Sequence, residues 1–326
     1  MANDADVAGA LNGAWADPEP AEPVHDYALL AKIGAAYAAR SRSGHPAVVI
    51  PFPNLGPSAT GRRTSGCELV AHPSTSFSYR GQTWDSPAGA LVCTDPDLRQ
   101  AFSILAADAL TRLGEQLTWD GLVETVEEWQ TLLMPRPKPS AEEELGLWGE
   151  LWFIHRSSDV ARTLSGWRGP ENDSVDFFVD QQAVEIKASR VERLHYISQS
   201  QVETPVGIHS AWLLSLWVKR DPAARLTVGL LADLILKSAP SRAEALRQLM
   251  RAGFSPKNRR DYASAYTLLN EPEWYAAEDV PRVRAADAGI SHLRYRAALD
   301  KTRRADGATA QRLWRHFHGH DYSGER

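Results

Sequence analysis

Apolar positions recur along this chain with two periods, three-to-four and two, and the changes between them predict its elements. From 25 to 40, Tyr27, Leu30, Ile33, Ala36 and Tyr37 follow helical spacing, so this stretch is predicted as a helix. Short apolar runs at 47–52, 66–72, 77–80 and 89–95 read as strands. The stretches 96–115 and 119–133 return to helical spacing. Another helix is expected over 141–158. Ser140 and Glu143 fit a capping box, and Glu142, Glu143 and Glu144 suit the positive end of a helix. The nearly continuous apolar run 211–219 suits a strand covered on both faces. Residues 226–239 and 241–253 read as helices, the second ending at Gly253. Residues 291–299 alternate: Leu293, Tyr295, Ala297 and Leu299 on one face, His292, Arg294 and Arg296 on the other.

Punctuation divides the chain. Residues 134–140 hold three prolines and form a boundary. Residues 1–25, rich in Ala, Asp, Glu and Pro, read as a disordered tail. The expected division is thus a tail over 1–25, an N-terminal α+β region over 26–139, a core over 140–239 and a basic C-terminal α+β region over 240–326. No internal repeat, P-loop or dinucleotide fingerprint interrupts it.

Charge and cysteine usage narrow the class. The net charge of −5 is unevenly spread: acidic by ten over 1–150, balanced over 151–240 and basic by five over 241–326. A basic end on an acidic protein suits a polyanion partner. Only Cys67 and Cys93 occur, far apart and without a CxxC pattern, which excludes a disulfide scaffold or zinc ribbon and makes a reducing cytoplasm the expectation. The chain carries no signal-peptide pattern and no apolar run long enough for a transmembrane helix, so no membrane role is expected.

The segment 173–190, DSVDFFVDQQAVEIKASR, sets Asp176, Glu185 and Lys187 inside two apolar runs. Such residues are rarely buried unless paired or bound. As a hairpin with a loop at Asp180 and Gln181, it places Asp176 opposite Glu185, and Lys187 shares their face. A loop at Gln181 and Gln182 pairs Asp176 with Lys187 and keeps all three on one face; a three-residue loop breaks the agreement. The other face, Val175, Phe177, Val179, Val184, Ile186 and Ala188, is apolar and reads as core. Two adjacent carboxylates repel unless a proton or cation lies between them. Mg²⁺ suits such a patch, and Mn²⁺ can substitute; Lys187 beside a water can orient it, help deprotonate it or offset developing charge. The matching reaction is metal-assisted phosphodiester hydrolysis. Glu150, between Leu147, Leu151 and Ile154 on the preceding helix, can reach the patch if that helix covers the sheet. Gly146 and Gly149 weaken that helix by about 1 kcal/mol each and permit close approach.

The order helix-Glu, Asp, Glu-x-Lys resembles the PD-(D/E)xK restriction-endonuclease-like superfamily. The words LGLWGELWFI (145–154), WRGP (167–170), VDFFV (175–179), VEIKAS (184–189) and HYISQSQ (195–201) resemble one bacterial family of PD-(D/E)xK motif proteins found beside methyltransferases and helicase-like ATPases in phage-defence clusters. The resemblance implies an α/β restriction-endonuclease-like core, a central mixed sheet flanked by helices, with a β-rich N-terminal part and a mixed C-terminal part. It implies a Mg²⁺-dependent DNA endonuclease of a restriction or phage-defence system, with DNA, an ATPase and a methyltransferase as partners. Asp176 and Glu185 would be metal ligands, Lys187 the catalytic lysine and Glu150 the helix-borne acid. Gln201 would be the glutamine after the lysine strand, ahead of Gln199, and His195 would touch phosphate. Val175 stands where the family's proline precedes the first aspartate.

Competing readings accompany each residue. The carboxylates and Lys187 can form a surface salt-bridge cluster. Glu150 can pair with Arg156 or Arg168, His195 can be structural, and Gln201 can be an ordinary helix residue. Arg190, Arg294 and Arg296 are candidate phosphate contacts or solvated charges. His316, His318 and His320, followed by Asp321, suit a frayed, adventitious metal-binding end more than a catalytic zinc centre. The alternatives to a nuclease are thus a nonenzymatic DNA-binding or assembly subunit and a zinc hydrolase on the histidine tail.

Overall fold

The computed structural model describes residues 4–16, 26–114, 117–169, 175–202, 207–283 and 293–324. They fall into two compact units: Met1–Arg136 with Ser241–Met250 and Ser255–Asn258, and Pro137–Pro240 with Arg251–Phe254 and Arg259–Arg326. The C-terminal stretch is therefore not a region apart. It supplies strands to the second unit and a helical segment to the first, in which Leu246, Leu249 and Met250 are buried.

In the first unit, α1 (Asp4–Ala16) lies in the stretch expected to be disordered. Ala8, Leu11 and Trp15 share one face and are buried, and the Trp15 indole donates to the Ala39 carbonyl at 3.0 Å. Three apolar side chains at helical spacing outweigh an acidic composition. Residues 17–25 lie outside the described residues.

The sheet has the order β1 (Tyr27–Ile33), β2 (Ala36–Ser41), β3 (Pro46–Pro51), β6 (Gln82–Cys93), β5 (Cys67–Tyr79) and β4 (Arg62–Arg63), antiparallel throughout. β1 and β2 replace the helix expected over 25–40. Gly34, at φ +60°, opens a two-residue hairpin loop, and a bulge at Leu30 shifts the phase of β1. That bulge disguises a period of two as helical spacing. A register shift near Pro73 likewise splits the pattern of β5, which is one strand rather than two. Helices α2 (Arg99–Leu113) and α3 (Trp119–Leu132) follow as expected.

The second unit opens with α4 (Ala141–His155), whose capping box is present in both directions: Glu143 N–H donates to Ser140 Oγ and Ser140 N–H to Glu143 Oε2. After α5 (Val160–Gly166) come β7 (Phe177–Val179), β8 (Gln182–Ser189), β9 (Leu194–Ser198) and β10 (Ser210–Arg220). β7 pairs antiparallel with β8, and β8 pairs parallel with β10. Beyond α6 (Val228–Ser238) and α7 (Arg242–Arg251), β11 (Tyr266–Leu268) and β12 (Glu273–Ala276) pair antiparallel with β10, completing a mixed sheet. β9 forms a two-stranded ribbon with β13 (Arg294–Ala298), and α8 (Gly307–His318) ends the unit. α4 packs against one face: a Cβ on Gly149 would lie 3.2 Å from Ala188 Cβ and 3.4 Å from Ile186 Cγ2. Gly146 faces open space and has no such role. On the other face Ile197, Leu213, Tyr275, Ala297 and Leu299 form a core under the ribbon. The fold is a mixed α/β architecture of several sheets flanked by helices.

Candidate active site

The hairpin of β7 and β8 has the two-residue loop Asp180–Gln181, both at positive φ (44° and 63°), with Val179 opposite Gln182. This is the first of the two registers that the sequence allows, and it sets Asp176 across from Glu185. The ladder stops at Phe177–Val184, which leaves the Ile186 amide of β8 without a strand partner. The Asp176 carboxylate takes that place, accepting from Ile186 N–H at 2.6 Å. The chain bends there, so Val175 joins Ala183 and Ala211 rather than the Phe177 side that alternation predicted.

Glu185 and Lys187 share a face of β8, and Lys187 Nζ lies 2.8 Å from Glu185 Oε1. Glu185 is 2% exposed, and its Oε2 is buried without a hydrogen-bond partner. Glu150 lies on α4, one residue beyond the close contact at Gly149, near enough to feel the charges of Glu185 and Lys187. Neither Arg156 nor Arg168 pairs with it: Arg156 donates to the Gly324 carbonyl and Arg168 lies over the Phe178 ring. Its partner is Trp167, whose indole N–H donates to Glu150 Oε2 at 2.7 Å.

Trp167 is the residue that sequence reasoning passed over. It stacks on Phe177 with 16° between the rings and forms a backbone bridge to it, while Arg168 N–H donates to the Asp176 carbonyl at 2.8 Å. Two adjacent residues thus brace both Glu150 and Asp176. Gly166 lets them close in, since a Cβ there would lie 2.6 Å from the Phe178 carbonyl oxygen. Both lie in the stretch WRGP, where Arg168 was a candidate partner of Glu150 and no spacing rule gave Trp167 a role.

Electrostatics follow from packing three carboxylates around one ammonium. Burial pushes Glu150 up to about 7, and the charge of Glu185 adds to it against the Trp167 hydrogen bond and Lys187. Burial, then repulsion from Glu185 and Glu150, holds Asp176 well above the usual carboxylate range. Burial also raises Glu185, against the pull of Lys187. The cluster therefore carries excess negative charge and retains protons unless a cation neutralises it.

Do these residues fit a divalent metal? The donors are hard carboxylate oxygens, one of them orphaned, in a site with surplus negative charge. This suits Mg²⁺ or Mn²⁺. Among the described residues, no group of three or more His, Cys, Asp or Glu side chains is placed to hold a metal ion; Asp176 and Glu185 are two carboxylates, the number that Mg²⁺ often takes from a protein.

The other candidates lie elsewhere. His195 is buried on β9 and shares a 2.8 Å hydrogen bond with Ser215 Oγ on β10; burial, then Lys187, pushes it down to about 3. It is a neutral interior histidine and offers no open face to phosphate. Gln201 follows β9, and its Oε1 accepts from Ser198 N–H at 3.0 Å, so its amide serves its own turn. Arg190, just past β8, is exposed. Arg294 and Arg296 stand exposed on the outer face of β13, over the ring of exposed Tyr196 at 5.2 and 5.6 Å. His292 lies outside the described residues.

The histidine tail is neither frayed nor a metal centre. His318 is fully buried, its nitrogens 3.1 and 3.0 Å from the Trp314 and Phe153 carbonyls. His316 Nε2 meets the Val179 carbonyl and His320 Nε2 the Arg156 carbonyl. The imidazoles are engaged with backbone, which removes the zinc-hydrolase alternative.

Among the described residues, no helix is long and apolar enough to cross a membrane. A family model described as "Putative PD-(D/E)XK family member, (DUF4420)" matches residues 35–300. No curated protein and no solved structure matches the chain.

Proposed function

This chain belongs to that PD-(D/E)XK family and is nuclease-like in kind, and from that premise we propose that it is a Mg²⁺-dependent DNA endonuclease of a restriction or phage-defence system. One observation carries the reading: buried Glu185, paired with Lys187 and keeping an orphaned carboxylate oxygen, interacts electrostatically with half-buried Glu150 and Asp176, and all three carboxyls are pushed upward. A folded protein tolerates such a surplus of buried negative charge where a cation or substrate relieves it.

In this reading Asp176 and Glu185 hold the ion. Bound there, the ion would acidify water and offset charge at a phosphoryl oxygen. Lys187 Nζ, beside Glu185, orients the attacking water and stabilises the charge that builds as the P–O bond to the leaving strand breaks. Glu150, near 7, exchanges a proton close to neutrality, which suits general acid–base work. Trp167 fixes its carboxylate. Arg190, Arg294 and Arg296, with Tyr196, offer cationic and aromatic contacts for DNA phosphates and bases. The helicase-like ATPase and methyltransferase partners belong to this same proposal.

The test is calorimetric titration with Mn²⁺ beside plasmid cleavage in Mg²⁺. The parent is expected to bind the ion and cut DNA, and Asp176→Asn to lose both. An Asp176→Asn protein that binds Mn²⁺ and cuts like the parent overturns the site. Salt-sensitive DNA binding indifferent to the carboxylates, with no cleavage, would assign the chain to nonenzymatic DNA binding.

A further inference from the structure

Cys67 opens β5 and Cys93 closes β6, and the two stand directly opposite each other. The hydrogen bonds around them fix the kind of rung they occupy. Thr64 N–H donates to the Cys67 carbonyl at 2.8 Å, and Cys67 N–H donates to Thr64 Oγ1 at 3.1 Å. The backbone of Cys67 therefore faces β4, away from β6. On the neighbouring rung Thr94 N–H donates to the Gly66 carbonyl at 2.9 Å. Antiparallel rungs alternate, so Cys67–Cys93 is a non-hydrogen-bonded pair, the type with Cα atoms only about 4.5 Å apart. That separation falls inside the span a disulfide can bridge, roughly 4.4–6.8 Å.

We propose that Cys67 and Cys93 form a redox modification site, a dithiol that converts reversibly to a cross-strand disulfide by exchange with a small-molecule disulfide. Both thiols are buried at 1% exposure where β5 begins and β6 ends, beside the Gly66–Thr94 rung, and strand ends open at low cost. The order of attack follows from their surroundings. Cys93 Sγ–H donates to the Asp95 carbonyl at 3.2 Å, and the facing thiols shift each other, the Cys93 thiol downward and that of Cys67 upward. The Cys93 thiolate attacks one sulfur of the oxidant RS–SR, a Cys93–SR bond forms and RS⁻ departs. The Cys67 thiolate then attacks Cys93 Sγ, forming the Cys67–Cys93 bond and expelling the second RS⁻. Two protons leave the protein thiols and protonate the two departing thiolates, so the pair loses two electrons and the oxidant gains them. A thiol reductant runs the same exchange backward, which makes the conversion reversible.

The experiment treats the full chain, folded by circular dichroism, with oxidised glutathione, then denatures, alkylates and weighs it. The expected result is a monomer lighter by two hydrogens, with neither thiol alkylatable and both restored by dithiothreitol. In Cys67→Ser the first step is expected to stall as a glutathione adduct on Cys93. If the folded parent keeps both thiols, yields only glutathione adducts or intermolecular dimers, or closes the bond only in denaturant, the proposal is wrong.

Discussion

Two carboxylate clusters share the second unit's sheet and have opposite electrostatics. Across the strands, Lys187 on β8 pairs with Ser215 on β10, which pairs with Glu273 on β12. Glu273 accepts Arg193 Nε and Nη2, both at 2.7 Å, Arg304 Nη1 at 2.8 Å and the Tyr275 hydroxyl at 2.6 Å. Burial works to raise its pKa, but these hydrogen bonds bring it down to about 2. Glu185, two residues before Lys187 on β8, is pushed upward instead, as are Glu150 and Asp176, and all three share the one lysine. Burial of a carboxylate therefore does not mark a site by itself. A saturated carboxylate is a brace, whereas carboxylates short of partners have raised pKa values and can exchange protons near neutrality.

The largest effect should come from exchanging the two clusters' roles. Lys187→Ala is expected to lower plasmid cleavage per folded molecule by about 10²–10⁴-fold. Glu273→Ala, which strands two guanidiniums, is expected to cost about 3 kcal/mol in urea unfolding, with the folded fraction still cutting. Equal cleavage by Lys187→Ala and the parent would erase the distinction.

Next in size, Trp167→Phe keeps the stack on Phe177 and removes the donor to Glu150. Losing one hydrogen bond to a charged group is worth about 1.5–3 kcal/mol, so cleavage should fall about 10- to 100-fold. A fall below twofold would show that Glu150 needs no brace.

The clusters should also respond to pH with opposite signs when no divalent cation is present. Glu150 has a folded pKa, about 7, above its ordinary 4.5, so the native state holds the extra proton between them. Its stabilising contribution is whole below about pH 4.5 and is lost as pH rises through 7. Glu273, at about 2, does the reverse: its contribution is present above its ordinary 4.5 and is lost as pH falls through 2. Urea unfolding across pH should show both slopes; Glu150→Gln should flatten the first alone, and Mg²⁺ should oppose it. A slope near neutrality that survives Glu150→Gln would assign it to another group.

The smallest effects belong to the periphery. Arg294→Ala and Arg296→Ala should each reduce the salt dependence of DNA binding by about one unit of slope. Gln201→Ala should change cleavage less than twofold, since its amide serves Ser198; a tenfold loss would return Gln201 to the site.

Local rules carried far in the core. The capping box at Ser140, the parity of Asp176, Glu185 and Lys187, and the alternation of Tyr295, Ala297 and Leu299 depend on neighbours a few residues away. They were legible for that reason. Where reading failed, a longer-range contact had overruled a local preference. Trp15 buries a helix within an acidic stretch, a bulge at Leu30 disguises β1, and His318 fills an interior space in what looked like a loose end.

By its order of residues alone, the chain settled which groups could act and that three of them could share one strand face, because side-chain direction along a strand follows from backbone stereochemistry. Only the tertiary structure decided that Glu150 meets them, that Trp167 holds it, that His195 is sealed inside, and that Cys67 faces Cys93. Those pairings join residues tens of positions apart. Which of them form is decided by how helix, hairpin and sheet bury apolar surface together, and no spacing along the chain encodes that.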